Sequence, residues 1–93
     1  MEFAWDRRKA RSDLAKHGVS FEEAQSVFLD ECARLINNPD HSDEKDRFLL
    51  LGYSIQARCL VVSHCYRESG SIFRLISARR ATRQEEAIYW SLR

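Results

Sequence analysis

Apolar positions along the chain change rhythm once. Near the start they follow helical spacing. Ala10 and Leu14, with His17, fall at i, i+4 and i+7 and give one narrow inner stripe. Asp6 stands where an N-cap would and Gly18 where a left-handed C-cap residue would, so the spacing predicts a helix over about residues 7–17. Arg7, Arg8, Lys9 and Arg11 fall mostly outside the stripe. Ser20 and Glu23 then form a capping-box pair, and Phe21, Ala24, Val27 and Phe28 line the inner face of a second short helix.

After Asp30 the rhythm becomes that of strands. Residues 33–36 predict a short strand, and 37–45, polar and holding the only proline, an exposed loop. Residues 48–53 and 59–66 are strong strand signals separated by a turn through 54–58. Residues 72–78 form the next strand, after a turn at Ser69-Gly70, and 84–92 the last helix. Strands joined by short loops pair antiparallel. Apolar residues on both faces of the middle strands mean that both faces are at least partly covered. The expected fold is α+β, one domain over residues 1–93: two N-terminal helices, a mostly antiparallel four-stranded sheet and one C-terminal helix.

The segment 72–83 organises the rest. Ile72, Phe73, Leu75 and Ile76 are strand formers, and Thr82 with Glu85 is a capping box opening the last helix. Between them lie Arg79 and Arg80, with Arg74 inside the strand and Arg83 just beyond. Strict alternation puts Arg74 on one face with Ile72, Ile76 and Ala78. A cation in that company marks a solvated groove or an anion site, or else an ordinary basic edge whose stems snorkel.

Charge sharpens this. The net charge is only +1. Residues 6–17 carry five basic side chains against two acidic, residues 22–46 eight acidic against two basic, and residues 67–83 five arginines against Glu68. Two basic segments that could share a face suggest an anionic partner such as nucleic acid, although solvated faces give such runs too.

Composition bounds the class. A hydrophobic fraction of 44% over 93 residues supports one folded domain with a modest core. No apolar run approaches the roughly 20 residues of a membrane span, and the N-terminus lacks the pattern of a signal peptide, so a cytoplasmic location is expected. Cys32, Cys59 and Cys65 read as buried thiols, and His17, His41 and His64 show no metal-ligand spacing.

Specific blocks then carry a resemblance. Trp5-Asp6, Lys9, the run Leu14-Ala15-Lys16-His17-Gly18-Val19-Ser20-Phe21-Glu22-Glu23-Ala24 and Val27-Phe28 resemble the N-terminal signature of BrnT-type toxins. His41, Glu44, Arg47, Gly52-Tyr53-Ser54, Ile76-Ser77-Ala78-Arg79-Arg80-Ala81-Thr82, Glu85 and Tyr89 resemble its remainder. The resemblance spans nearly the whole chain. It implies a RelE-like fold and the toxin half of a bacterial type II toxin–antitoxin pair, a ribonuclease that stops translation and growth. It also implies a cognate antitoxin of BrnA type, with a ribbon-helix-helix DNA-binding region through which the complex meets operator DNA. Three positions depart from the pattern: Glu31 follows Asp30 where proline is usual, Ala57 stands where glycine is frequent, and Asp13 where asparagine is common.

RNA cleavage without metal or organic cofactor needs a base for the ribose 2′-OH, cations for the phosphorane-like transition state and an acid for the leaving 5′-oxygen. Arg74, Arg79 and Arg80 offer guanidinium forks that fit phosphate, and Arg47 could join them. His41 has the ordinary imidazole pKa of about 6.5, suited to proton transfer. Glu22 is free to face a groove, whereas Glu23 and His17 read first as a capping and a helix-end residue. Lys9, Lys16 and Arg83 are solvated charges or grips on the RNA backbone. His64 reads as a core or edge histidine, and Tyr66, Tyr89 and Trp90 as core aromatics or base-stacking surfaces. Two rival readings stand beside the ribonuclease: a non-catalytic module whose basic face docks an acidic protein or nucleic acid, and a toxin with a decayed site.

Overall fold

The computed structural model describes residues 2–36, 47–67 and 71–91. Its elements are β1 (Glu2–Ala4), α1 (Arg7–His17), α2 (Phe21–Ser26), a single 3-10 turn (Val27–Leu29), β2 (Arg34–Ile36), β3 (Phe48–Tyr53), β4 (Cys59–Arg67), β5 (Ile72–Arg80) and α3 (Arg83–Ser91). The α+β class stands, but the sheet has five strands, in the order β1-β5-β4-β3-β2. The strand absent from the sequence reading is β1. It pairs parallel with β5, Glu2 to Ile72 and Ala4 to Arg74, while the other pairs are antiparallel. Three residues are too few to show alternation. The polar loop, His41, Glu44 and the Ser69-Gly70 turn lie outside the described residues.

Local chemistry sets the helix ends. Asp6 accepts from the N–H groups of Arg8 at 2.8 Å and Lys9 at 3.4 Å. Gly18, at φ +68°, closes α1 by donating its N–H to the Leu14 carbonyl at 2.9 Å, a conformation that glycine reaches without strain. Ser20 caps α2 through the Glu23 N–H at 3.0 Å. The Glu23 carboxylate turns away to Arg58 and Ser54.

The stripe expected on α1 holds at Ala10, which packs on the main core, but not at Leu14 or His17, and Asp13 turns inward instead. Leu14 is 49% exposed and His17 is exposed, whereas Asp13 is 3% exposed. The cause is the sheet edge. β1 pairs only as far as Arg74, so β5 runs on with no strand outside it, and α1 lies along that edge. Asp13 Oδ2 accepts from the Ala78 N–H at 2.6 Å, supplying the partner a further strand would have given.

The main core forms where Val19, Phe21, Ala24 and Val27 pack on Leu60, Val62, Leu75 and Ala78. A smaller one joins Leu51, Val61 and Tyr89 under α3. Gly52 sits where a Cβ would come within 2.8 Å of Ala33 Cβ and 3.0 Å of Val27 Cγ1, so the β3 backbone rests directly on the segment behind α2. Asp30 fastens that segment: its carboxylate accepts from the Tyr53 N–H at 2.9 Å and the Tyr89 hydroxyl at 2.8 Å.

Alternation fails once in β5. Ser63 pairs with Ser77 and His64 with Leu75, which leaves Ile76 without a partner. Such a bulge inverts the facing of everything beyond it. Arg74 therefore shares its face with Ile72, Ser77 and Arg79, and not with Ala78, which joins Leu75 in the main core. No helix among the described residues is long and apolar enough to cross a membrane.

A cationic pocket as the candidate functional site

Helix α3 covers only one end of its face of the sheet, over Leu51 and Val61. Register places Ser63, Cys65 and Arg67 of β4 beside Ile72, Arg74 and Ser77 of β5 on the remainder. These six are half-buried or exposed. At the margin of this open half, beside the bulge, lies a pocket of about 350 Å³. Lys9, Arg47, Arg67 and Arg74 line it with Asp6, over Cys65, Leu75 and Ile76. Four elements of the sequence meet there. Asp6 and Lys9 come from the start of α1, Arg47 from the approach to β3, Arg67 from the end of β4 and Arg74 from β5.

Four cations around one cavity repel one another, so the pocket favours an anion. Asp6 offsets part of this charge, with Oδ1 tied to the first turn of α1. Lys9 Nζ lies 3.8 Å from Asp13 Oδ1, in a contact half open to water. Arg74 is half-buried on β5, paired with Ala4 of β1 and Cys65 of β4, and lines the cavity.

The other arginines of the segment serve elsewhere. Arg79 shares the face of Arg74, but its guanidinium makes a fork–fork pair with Glu85, at 2.7 and 2.8 Å. That contact holds the Glu85 carboxyl down at about 2 and raises the guanidinium pKa further. Glu85 also accepts from the Thr82 N–H at 2.9 Å while Thr82 Oγ1 accepts from the Glu85 N–H at 3.1 Å. Arg79 is thereby joined to the capping box and clamps β5 to α3. Arg80 lines a separate cavity of about 380 Å³ with Tyr53, Arg58 and Glu86. Glu22 lies in a third, of about 610 Å³, beside Trp5, Arg7 and Arg11. Lys16 and Arg83 are exposed on α1 and α3, and His41 lies outside the described residues.

Of the residues the sequence reading grouped together, the fold unites Lys9, Arg47 and Arg74. It adds Arg67 and Asp6, which that reading left out of the site. The signal for Arg67 was its place two residues beyond Cys65 on one strand face. A buried strut was also missed. Glu23, 4% exposed, accepts from Ser54 Oγ at 2.6 Å and pairs through both carboxylate oxygens with Arg58, whose Nη2 also reaches the Gly18 carbonyl at 3.1 Å. Arg58 depresses the Glu23 pKa, which suits a tie between α2 and the β3–β4 turn and not a proton carrier.

The cysteines are half-buried, and burial pushes the Cys59 thiol up to about 11, away from reactivity. His64 is a core residue, fully buried among Phe28, Phe48, Tyr66 and Phe73. Burial lowers its pKa, and its Nε2 has no partner among the described residues. Among the described residues no three His, Cys, Asp or Glu side chains gather as a metal site would require.

A profile of the family described as the ribonuclease toxin BrnT of type II toxin–antitoxin systems matches residues 5–85. The structure is similar to the crystal structure of the Brucella abortus ribonuclease toxin BrnT, with a TM-score of 0.69 and 21% identity, covering 89% of this chain and 99% of that one. At that identity the likeness speaks to the fold. A search of curated proteins gave no match.

Proposed function

The chain belongs to the BrnT family of ribonuclease toxins of type II toxin–antitoxin systems, and from that premise we propose an endoribonuclease whose scissile phosphate sits among Lys9, Arg47, Arg67 and Arg74. The observation that carries this reading is the convergence of four cations from separate elements on one pocket of about 350 Å³.

The reaction is transesterification. The ribose 2′-oxygen loses its proton to a base and attacks phosphorus. The P–O5′ bond breaks, the 5′-oxygen takes a proton from an acid, and the products end in a 2′,3′-cyclic phosphate and a 5′-hydroxyl. Guanidinium forks on the equatorial oxygens stabilise the charge that builds between these steps, in the role a metal ion would otherwise fill. On this reading the reaction needs no metal ion. For proton transfer His41 stands on its chemistry alone, and Asp6 is the carboxylate at the pocket. Glu22 would serve from its separate groove only with a long RNA path between them. Arg79 supports the site by holding β5 against α3. A type II toxin has an antitoxin partner. Here it is of BrnA type, silences the cleavage that halts translation, and carries the complex to operator DNA.

The test is cleavage of RNA by purified protein in EDTA, with and without ribosomes, for wild type, Arg74→Ala and Arg79→Ala, with product ends mapped. Cyclic-phosphate ends, and a loss of about a hundredfold or more for Arg74→Ala, are expected. Intact RNA in both settings, with salt-steep binding, would overturn the reading in favour of a binding module.

A further inference from the structure

Beside the cationic pocket lies a second cavity, of about 550 Å³, lined by Phe48, Cys65, Tyr66 and Arg67. Cys65 and Arg67 belong to both cavities, so the two are continuous around the end of β4. Tyr66 is 42% exposed. Its ring lies 5.1 Å from that of Phe48, 4.9 Å from Phe73 and 5.4 Å from His64. An aromatic ring braced by three others yet open to solvent has already given up its rotamer freedom, so a flat ligand can stack on it at small entropic cost. The other aromatics weighed for stacking stand apart: Tyr89 is buried with its hydroxyl on Asp30, and Trp90, though 51% exposed and packed on Tyr53 and Tyr89, lines neither of the two cavities.

We propose that the Phe48–Tyr66 cavity is a nucleobase subsite, which takes the base of a nucleotide adjoining the phosphate held by Arg67 and Arg74. The inference rests on the ribonuclease reading and deepens it. A base can enter the cavity only if it is free of its neighbours, so the subsite selects single-stranded RNA over duplex. Stacking tolerates every base, so the subsite adds affinity and orientation without a strict sequence requirement. Arg67 bridges the two cavities, one face toward phosphate and the other toward the base.

The test uses the full chain as wild type, Tyr66→Ala and Tyr66→Phe, each checked by thermal melting. Binding is read by anisotropy with a short 2′-O-methyl single strand, which cannot be cut, with its duplex, and with strands carrying an abasic residue at successive positions. Cleavage of the matching ribose strand is read in parallel. Tyr66→Ala should weaken single-strand binding about tenfold. Tyr66→Phe should restore it, and an abasic residue at one position should cost wild type the same factor while costing Tyr66→Ala nothing more. Equal single-strand affinity in wild type and a folded Tyr66→Ala overturns the subsite, as does an abasic penalty that persists in the variant. So does unchanged RNA binding with loss of antitoxin binding, which would make the cavity a protein-docking surface. Absence of cleavage both with and without ribosomes, with the Tyr66 binding pattern intact, would overturn the ribonuclease reading and leave the stacking site standing.

Discussion

Asp13 Oδ2 lies 2.6 Å from the backbone nitrogen of Ala78, a helix side chain serving as the missing neighbour of a strand. Replacing Asp13 by alanine strands a buried N–H and should lower stability by about 1–3 kcal/mol in urea titration. Asparagine keeps a carbonyl acceptor in the same place, so Asp13→Asn should stay within about 1 kcal/mol of wild type. Equal stability of all three would show that water satisfies Ala78.

Arg74 and Arg79 share a face but divide the work. Arg79→Ala removes a bidentate pair with Glu85 and should cost about 1–2 kcal/mol, since the guanidinium is partly exposed. Arg74→Ala should leave stability within about 0.5 kcal/mol while nearly abolishing cleavage. Melting and cleavage measured on the same preparations separate the two roles. The reverse pattern would move the reacting phosphate to Arg79.

Acid should loosen the fold in two stages. The Glu85 carboxyl is held at about 2 against a usual 4.5, first by Arg79. The unfolded chain takes that proton first, so the contribution is whole above pH 4.5 and is lost as pH falls toward 2. Glu23, lowered by Arg58, acts in the same direction. His64 is lowered from 6.5 by burial, so the unfolded chain gains its proton first, and stability begins to fall below pH 6.5. Melting temperatures followed from about pH 8 to about pH 3 should show both stages. His64→Leu should flatten the upper one, and a single late fall in wild type would refute the histidine's part.

Two small residues make opposite predictions. A methyl group on Gly52 meets Ala33 Cβ at 2.8 Å, so Gly52→Ala should cost about 1–3 kcal/mol. Ala57 holds φ at +62°, a region that suits glycine, so Ala57→Gly should gain stability, by up to about 1 kcal/mol. Chemical denaturation of both checks the signs.

The elements themselves were legible because their signals are local. Asp6, Gly18, Ser20 and Thr82 mark helix ends by hydrogen bonds that reach no further than a turn, and β3 announces itself by a leucine run between aromatic residues and β4 by Val61, Val62 and Tyr66. What stayed hidden depends on partners distant in the chain. The inward turn of Asp13 follows from an unpaired edge at Ala78, which the α1 sequence cannot reveal. The joint facing of Arg74 and Arg79 follows from the Ile76 bulge, because residues an odd number apart in an unbroken strand face opposite ways. The arginine cluster was visible as a composition, but its division into a clamp at Arg79 and the proposed phosphate site at Arg74 required knowing where Glu85 and Lys9 lie.

The parallel pairing of β1 with β5 has a consequence for the order of events in the cell. Lys9 leaves the ribosome before Arg74, and neither β1 nor the α1 edge contact has a place to dock until β5 has emerged. A chain interrupted before β5 therefore carries the basic helix but no assembled pocket. The basic helix and the strand that completes the proposed site are thus separated in time, and the site comes into being only once β5 has closed on β1 and α1.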